Sequence, residues 1–485
     1  MWSRLMRKYS KIVLRRFLYV PRRELKRYKD VVRHLTVRSK YPEGPTVKLF
    51  DDTDRSWFGF PLYDDRYKDL ADEVIDRRAD GREVDFRFTA RLWPGQDVII
   101  DKFKRLVAKG KTGILLESKA GTGKTVMLIK MIQHLGRTAL VVVPRANLVD
   151  QWIERLLEHT DLKKHQIGVA AGGKAVWRGK VVVVGLVHTL GLDITGGCNR
   201  FGREFCDYFG TVVFDEVDRS VPPATFAPVV TMFPAKYRIG ASATFKRKDG
   251  LDVVFWSHIG EAYIAGAVKN RQEPTVLMVY YDGEYPKLWP GLGKVQAKGV
   301  ILSHIAKDLR RNIVVARYAA SLWKSGRRSL VLSDRTLQLA LLRDLLISRF
   351  KVPPEDIGFF CGSIPVKVGG KYVKLKGKNG YKSRMVSEKE CAFSASACKI
   401  LLATNGKFAI GSDIPDLAGL VYATPSSETE QSKGRIERYV AGKAQPVVVD
   451  IVDTFYRQTL GWAQARLGQY KKAGLKVKTI RAGGK

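Results

Sequence analysis

The sequence predicts two consecutive α/β domains, each a parallel sheet covered by helices, behind a small basic N-terminal domain. Three observations support this fold class. The length of 485 residues suffices for about three folding units. Apolar runs of strand length alternate with helix-like stretches on both sides of a polar connection at residues 269–274. The net charge of +37 indicates a polyanionic partner, with nucleic acid favoured over an anionic membrane surface.

Composition excludes several classes of protein. Hydrophobic residues make up 45% and charged residues 27%, so the chain can build packed cores and is not mostly disordered. No run approaches the ~18 apolar residues of a membrane span. The five cysteines lack C-x-x-C and metal-ligand spacing, which predicts reduced thiols and a cytoplasmic location. A removable presequence is the disfavoured alternative for the Arg-rich start, because the basic character continues past Lys40.

The N-terminal domain is predicted over residues 1–85. Residues 1–50 hold fifteen Lys or Arg against three acids, which indicates an accessory module that binds nucleic acid. The first α/β domain follows over residues 86–270, with strands predicted at 113–117, 139–143, 181–184 and 211–214 and helices at 125–135 and 148–159. The second domain covers residues 271–485, with strands predicted at 275–280, 329–333, 399–403, 419–423 and 446–451.

The first motif follows the strand at 113–117 and runs from Ser118 to Thr125, directly before an apolar helix. A glycine-rich loop between strand and helix predicts a phosphate-binding loop for ATP. The proposed nucleotide ligands are Gly121, Thr122, Gly123, Lys124 and Thr125, where Lys124 reaches the β- and γ-phosphates and Thr125 ligates Mg²⁺. Ser118 stands where the usual pattern has glycine. A structural turn is the alternative, disfavoured by the strand and helix on either side.

The second motif is Asp215-Glu216, at the end of the apolar strand 211–214. Ligands of parallel sheets bind at the carboxyl ends of the strands. Asp215 is therefore predicted to hold Mg²⁺, directly or through water, and Glu216 to orient and deprotonate the attacking water. An acidic helix N-cap is the alternative, and the phosphate loop upstream makes the catalytic interpretation the better one.

Together with further segments, these motifs resemble those of superfamily 2 helicases. Gln96 occupies the place of an adenine-reading glutamine, and the resemblance implies two RecA-like domains. Residues 142–145, which include Arg145, resemble motif Ia together with Leu148, Gln151 and Trp152. Residues 187–190, which include Thr189, resemble motif Ib. In the family both motifs contact the nucleic-acid backbone. Residues 240–244, followed by a tail of Arg247, Asp249 and Gly250, resemble motif III.

In the second domain, Thr404, Gly411 and Asp413 resemble motif V, which implies a nucleic-acid contact for Thr404 and a nucleotide contact for Asp413. Residues 431–438 fit the Q-x-x-G-R-x-x-R of motif VI. The resemblance implies catalytic roles for Gln431, Arg435 and Arg438, with the arginines as arginine fingers.

The closest likeness is to the XPB, RecG and UvsW group, above all to phage branch-migration helicases, which would place the protein in a bacterial cytoplasm. Two departures weaken this subfamily placement: Asp218 stands where many relatives have His, and Phe245 stands where Pro often follows motif III. Neither departure, nor Ser118, removes a residue that the ATPase chemistry requires.

Two basic segments lie outside the motifs. Residues 366–384 hold seven Lys or Arg, four glycines and no acid, and residues 466–485 hold seven more bases without an acid. The first predicts a basic hairpin that contacts nucleic acid through Lys371, Lys374 and Lys376, with Tyr372 and Tyr381 offering stacking faces. A solvated loop is the alternative.

These features predict a monomeric ATP-dependent DNA helicase or translocase that unwinds or branch-migrates forked and junction DNA, with ATP and Mg²⁺ as cofactors. Its partners would be single-stranded, forked or junction DNA, and no membrane. An enzyme that unwinds RNA or RNA–DNA hybrids is the first alternative. A nucleic-acid-binding protein that uses ATP as a switch, with little turnover, is the second.

Overall fold

The computed structural model describes residues 9–64, 71–119, 121–194, 197–216, 223–247, 249–266, 272–283, 294–375, 380–409, 414, 416–425, 436–437 and 442–482. The chain divides into two compact units, residues 1–269 and 270–485. Within the described ranges, no helix is long and apolar enough to cross a membrane. All five cysteines are free thiols.

The N-terminal segment of unit 1 forms a four-stranded sheet with the order β5-β2-β1-β6, beside a helix and a two-stranded hairpin. Its elements are β1 Tyr9–Leu14, β2 Leu18–Pro21, α1 Tyr28–His34, β3 Thr36–Arg38, β4 Thr46–Lys48, β5 Trp57–Phe60 and β6 Ala71–Asp76. Strand β1 pairs antiparallel with β2 and parallel with β6.

The described residues of this segment share a hydrophobic core with the α/β part of unit 1. Ile12, Val20 and Phe58 lie in the same buried hydrophobic cluster as Phe214 and Phe255, which belong to the α/β part of unit 1. Because the cluster extends through both parts, removing either part would expose the apolar side chains of the other to water. The structure therefore joins the segment to the α/β part of unit 1, and does not present it as an independently packed module.

A buried arginine reinforces this junction. The guanidinium of Arg238 is fully buried and donates to the carbonyl oxygens of Val230 at 3.3 Å, Phe233 at 2.5 Å and His258 at 2.8 Å. It also donates to the carbonyl oxygen of Arg16, in the N-terminal segment, at 3.3 Å. Burial lowers the pKa of Arg238 to about 10, which leaves the side chain charged at neutral pH. The bonds to carbonyl dipoles compensate for part of its desolvation.

The α/β part of unit 1 contains an eight-stranded sheet with the order β10-β9-β11-β8-β12-β13-β7-β14. Its strands are β7 Gly113–Ser118, β8 Ala139–Val143, β9 Ile167–Ala171, β10 Lys174–Val176, β11 Val182–Leu186, β12 Thr211–Asp215, β13 Tyr237–Ser242 and β14 Ala262–Gly266. Its helices are α2 Gln96–Ala108, α3 Lys124–Leu135, α4 Ala146–His159, α5 Val187–Leu190, α6 Gly202–Asp207, α7 Pro223–Met232 and α8 Val253–His258. Only the edge pair β9 and β10 is antiparallel.

Unit 2 contains a seven-stranded parallel sheet with the order β17-β22-β16-β23-β24-β15-β25, and two small antiparallel pairs, β18 with β21 and β19 with β20. Its strands are β15 Thr275–Tyr281, β16 Ser329–Leu332, β17 Ile357–Phe360, β18 Ser363–Pro365, β19 Lys367–Val368, β20 Lys371–Tyr372, β21 Ser383–Met385, β22 Ile400–Ala403, β23 Gly419–Tyr422, β24 Val447–Asp453 and β25 Val477–Arg481. Its helices are α9 Lys294–Lys307, α10 Leu309–Lys324, α11 Thr336–Ser348, α12 Glu388–Ala397, α13 Asn405–Ala409 and α14 Arg457–Lys472. The α/β class with parallel sheets is confirmed.

Strand order places the predicted motifs side by side in unit 1. Strand β13 lies between β12, which ends at Asp215, and β7, which ends at Ser118. In register, Asp215 lies opposite Ala241 and Ser242 lies opposite Glu117. Because these three strands are parallel, their carboxyl ends meet at one edge of the sheet.

Candidate active site

The phosphate loop is held by its own hydroxyl groups. It connects β7 to α3, and Gly121 and Gly123 have φ angles of 80° and 79°, a conformation that glycine adopts without steric cost. The hydroxyls of Ser118 and Thr122 are 2.6 Å apart, and Thr122 Oγ1 donates to the Lys119 carbonyl at 2.7 Å. Ser118, the departure from the usual glycine, thus contributes a side-chain bond that closes the loop.

Gln96 is tied to this loop. Its side chain is buried, accepts a hydrogen bond from the Trp93 backbone N–H at 2.8 Å and donates to the Thr122 carbonyl at 2.8 Å. A Cβ atom at Gly123 would lie 2.3 Å from Gln96 Nε2. The structure therefore brings the predicted adenine-reading residue against the loop. Glycine at position 123 is favoured by its positive φ, and a side chain there would displace the Gln96 amide from its hydrogen bonds.

Trp93 is a site residue to which the sequence assigned no role. Its side chain is 38% exposed, and its Cζ3 atom lies 3.6 Å from the position of a Cβ on Gly123. An exposed aromatic face beside a phosphate loop is suited to stack on a nucleobase. The only sequence signal was its position three residues before Gln96.

Asp215 is oriented by a tryptophan. The carboxylate is 7% exposed at the end of β12, and its Oδ2 atom accepts a hydrogen bond from Trp152 Nε1 at 2.9 Å. Trp152 comes from α4 and is itself buried. A bond from a neutral donor to a buried carboxylate fixes its direction without neutralising its charge. Trp152 belongs to the predicted motif Ia, where it was not expected to contact Asp215.

Glu216 adopts a backbone conformation unusual for a residue with a side chain. Its φ angle is 54°, in the left-handed region. For residues other than glycine this conformation costs roughly 1 kcal/mol or more, and such strain occurs often at functional sites. This conformation ends the extended backbone of β12 directly after Asp215.

The predicted motif III lies between these two elements. Ser242 donates through its hydroxyl to the Thr244 carbonyl at 2.7 Å and accepts from the Thr244 N–H at 3.1 Å. In the tail, Arg247 binds Asp249 with a shortest distance of 2.6 Å. The Arg247 guanidinium holds the pKa of the Asp249 carboxyl below its usual value.

Three predicted nucleic-acid contacts differ in accessibility. Arg145 is half-buried directly before α4, and Thr404 is half-buried directly after β22. Thr189 lies in α5 with only 4% of its surface exposed. A phosphate approaching this helix would meet the exposed neighbour His188 before Thr189.

The basic segment at 366–384 contains a hairpin of β19 and β20, with Gly369 and Gly370 at positive φ in its turn. Lys371 and Lys374 are exposed. Strand β21 closes the segment by pairing with β18. Tyr372, predicted to offer a stacking face, is half-buried, which leaves only part of its ring accessible to a base.

Tyr372 instead packs against its surroundings. Its hydroxyl donates to Asp344 of α11 at 2.8 Å, and Lys367 Nζ lies 5.3 Å from the ring centroid. Burial and this bond to Asp344 raise the pKa of the Tyr372 hydroxyl. The ring fastens the hairpin to α11, so the basic surface is carried by the lysines.

Several predicted residues lie outside the described ranges: Gly411, Asp413, Gln431, Arg435, Arg438 and Lys376. Their assignments stay predictions.

Residues 89–247 match the protein family described as Type III restriction enzyme, res subunit. L396 of Acanthamoeba polyphaga mimivirus, named as an ATP-dependent RNA helicase, is 26% identical over 424 residues, which cover 83% of this chain and 75% of that protein. XPB2 of Sulfurisphaera tokodaii, a DNA 3'-5' translocase, is 24% identical over 245 residues, which cover 48% of this chain and 51% of the relative. The chain is similar to superfamily 2 helicases of the viral and XPB-like kinds.

The solved structure of Mss116p bound to ssRNA and AMP-PNP is similar in fold, with a TM-score of 0.50 and 14% identity over 81% of this helicase and 75% of that chain. Superfamily 2 helicases are nucleic-acid-dependent ATPases, and this chain is an enzyme of that class. The phosphate loop and the Asp215-Glu216 pair both lie within the residues that match the family model.

Proposed function

We propose that this helicase uses ATP hydrolysis to unwind or branch-migrate forked and junction DNA. The observation that carries the proposal is the placement of the phosphate loop, Asp215 and Glu216 at one edge of one parallel sheet. Nucleotide phosphates, a metal-binding acid and a base for water are the groups that phosphoanhydride hydrolysis needs.

The residues present fit a Mg²⁺–ATP substrate. The hydroxyl of Thr125 and the carboxylate of Asp215 are hard oxygen donors of the kind that Mg²⁺ prefers, and Trp152 directs the carboxylate. The metal would neutralise charge that develops on the phosphates. Lys124, at the first position of α3, binds the phosphates together with the positive end of the helix dipole. Glu216 accepts the proton of the attacking water.

Arg435 and Arg438 complete the proposed catalytic set as cations that stabilise the transferring phosphoryl group, with Gln431 beside them in the motif. Replacement of either arginine by Ala should lower kcat by roughly a thousandfold, the scale associated with arginine fingers. A kcat within tenfold of the wild type would rule out this role.

The preference for DNA rests on charge and on the basic hairpin. A net charge of +37 supports a partner with dense phosphates, and Lys371 and Lys374 present charge on an exposed, glycine-turned hairpin. The relative named as a DNA translocase supports DNA, whereas L396 is named as an RNA helicase, so RNA or RNA–DNA hybrid is the alternative substrate.

The test is the ATPase rate at one fixed salt concentration with no nucleic acid, single strands, forks, four-way junctions and RNA–DNA hybrids. The proposal expects the strongest stimulation by forked and junction DNA. Equal or greater stimulation by RNA would favour the alternative, and an ATPase without stimulation by any of them would contradict a helicase function.

A charge-matched pair of variants tests the hairpin. Lys371→Ala with Lys374→Ala should reduce unwinding of forks while leaving ATPase activity on single strands nearly intact. The control, Lys163→Ala with Lys164→Ala, removes the same charge from exposed positions just before β9, at the opposite edge of the sheet from the motifs. Equal loss of fork unwinding in both pairs would assign the effect to net charge and contradict a specific role of the hairpin.

A further inference from the structure

We propose that the β3–β4 hairpin, residues 36–48 of the basic N-terminal segment, is a positioning element of the ATPase that holds the tail of motif III, residues 247–250. This inference rests on the proposed function, because the tail has a catalytic context only in an ATP-driven helicase. It gives the N-terminal segment a role in turnover in addition to binding nucleic acid.

The hairpin contacts the tail directly. The backbone N–H of Lys40 donates to the Asp249 carbonyl oxygen at 2.9 Å. The next residue, Gly250, has a φ of 75°, and a Cβ there would lie 2.7 Å from Lys40 Cε. The chain of Lys40 therefore crosses the tail at a glycine that has no room for a side chain without movement of the lysine.

The tail in turn connects to the catalytic elements. Arg247 and Asp249 form a two-point ion pair in which the side chains are 11% and 16% exposed, so water screens it only in part. Two residues upstream of Arg247, the Phe245 N–H points to Glu117 Oε2 at 3.4 Å. Glu117 directly precedes Ser118, where the phosphate loop begins. A short series of contacts thus runs from the hairpin to the phosphate loop.

The hairpin is itself firmly supported. Val47 of β4 is 4% exposed and lies in the cluster that also holds Phe226 of α7 and Leu251 beyond the tail. Strand β4 packs against α7, the helix that follows Asp215 and Glu216. The hairpin therefore contacts both α7, the helix that follows motif II, and the tail that follows motif III.

The outer face of the hairpin is basic. Arg38, Lys40 and Lys48 are exposed, and Lys40 is the residue that bonds to the tail. Nucleic acid bound to this face would contact Lys40, the same residue whose backbone N–H bonds to Asp249. Binding energy at the N-terminal segment can therefore bias the position of the tail.

A pair of variants at one position isolates the contact. Lys40→Pro removes the backbone donor, whereas Lys40→Ala keeps the donor and removes only the side chain. We expect Lys40→Pro to lower the DNA-stimulated kcat roughly fivefold, the factor that the loss of one ordinary hydrogen bond corresponds to. KM for ATP should stay within twofold in both variants. Because both variants lose the same side-chain charge, they should have the same affinity for single-stranded DNA, and Lys40→Ala should lose less kcat than Lys40→Pro.

A second pair of variants tests the same contact without proline, so that the result does not depend on correct folding of Lys40→Pro. Val47→Ala loosens the hairpin, while Val31→Ala removes the same atoms from α1, in the same cluster and with similar burial. The two variants should lose similar thermal stability, but only Val47→Ala should lower kcat.

The outcomes separate the inference from the proposed function. Wild-type kcat in both Lys40→Pro and Val47→Ala overturns the positioning role, as does an equal loss of kcat in Val47→Ala and Val31→Ala. A wild-type protein that hydrolyses ATP without stimulation by DNA contradicts the proposed function itself.

Discussion

Replacing Trp152 with Phe removes one hydrogen-bond donor from the active site and keeps an aromatic ring in the core. The indole N–H lies 2.9 Å from Asp215 Oδ2, and both side chains are buried. A hydrogen bond to a charged group contributes about 1.5–3 kcal/mol. If the bond serves to aim the carboxylate at Mg²⁺, this energy appears as a loss of roughly ten- to a hundredfold in kcat.

The assay is steady-state ATP hydrolysis with saturating single-stranded DNA, repeated over a Mg²⁺ titration. Trp152→Phe should lower kcat and raise the Mg²⁺ concentration for half-maximal rate, while ATP binding through the phosphate loop persists. Trp323→Phe is the matched control, because Trp323 Nε1 donates to Asp356 Oδ2 at 2.7 Å in unit 2. That variant loses the same chemistry without touching a predicted catalytic acid.

The reasoning fails if Trp152→Phe has the kcat and Mg²⁺ dependence of the wild type. It also fails if both tryptophan variants lose activity to the same extent, since the loss would then reflect stability alone.

Three further predictions concern the same unit. Lys124→Ala and Glu216→Gln should both abolish turnover, but in a nucleotide-binding assay only Glu216→Gln should still retain ATP, because Lys124 contacts the phosphates in the ground state. Gly123→Ala should lose ATP binding and lower Tm, since its Cβ would lie 2.3 Å from Gln96 Nε2 at a φ of 79°; an unchanged Kd for ATP would contradict the described loop. Burial, with a smaller contribution from a neighbouring arginine, lowers the pKa of His258 to about 3. Because the unfolded chain takes up this proton below about pH 6.5 and the folded chain does not, unfolding free energy should fall by about 2 kcal/mol between pH 8 and pH 5; His258→Leu should flatten that dependence in denaturant titrations, and an identical slope would exclude His258 as its source.

Most strands of the two parallel sheets could be predicted from the sequence, because buried parallel strands are continuous apolar runs. The prediction of 139–143 matches β8 without a shift, and 113–117 falls one residue short of β7. Strand β13 was not predicted as a strand, because the buried Arg238 interrupts its apolar pattern. Its partners are carbonyl groups from other elements, which no local pattern reveals.

The strands of the N-terminal sheet were also not predicted from the sequence, for a related reason. The basic residues of this segment, such as Lys11, indicated a nucleic-acid-binding surface, although Tyr9 and Ile12 of the same strand are buried. Charge density dominated the interpretation, and the buried positions of β1, three residues apart, do not follow the two-residue period by which a strand is recognised in sequence.

Some features of the candidate active site could likewise be predicted from the sequence, whereas others are shown only by the structure. The phosphate loop and Asp215-Glu216 depend on residue types at fixed spacing and could be identified from sequence. The bond between Trp152 and Asp215 joins residues 63 positions apart and depends on how α4 packs on the sheet over β8 and β11. The anchoring of Tyr372 by Asp344 likewise depends on a helix distant in sequence.

The junction built by Arg238 and the common apolar cluster determines how the ATPase unit can be produced in isolation. A recombinant fragment that begins at Phe86 would expose the cluster that Ile12, Val20 and Phe58 cover, and would remove the Arg16 carbonyl from the buried guanidinium. Newly exposed apolar surface of this kind favours aggregation. Expression of residues 1–269 preserves both features and should give a monodisperse protein, whereas the shorter fragment should precipitate or require detergent.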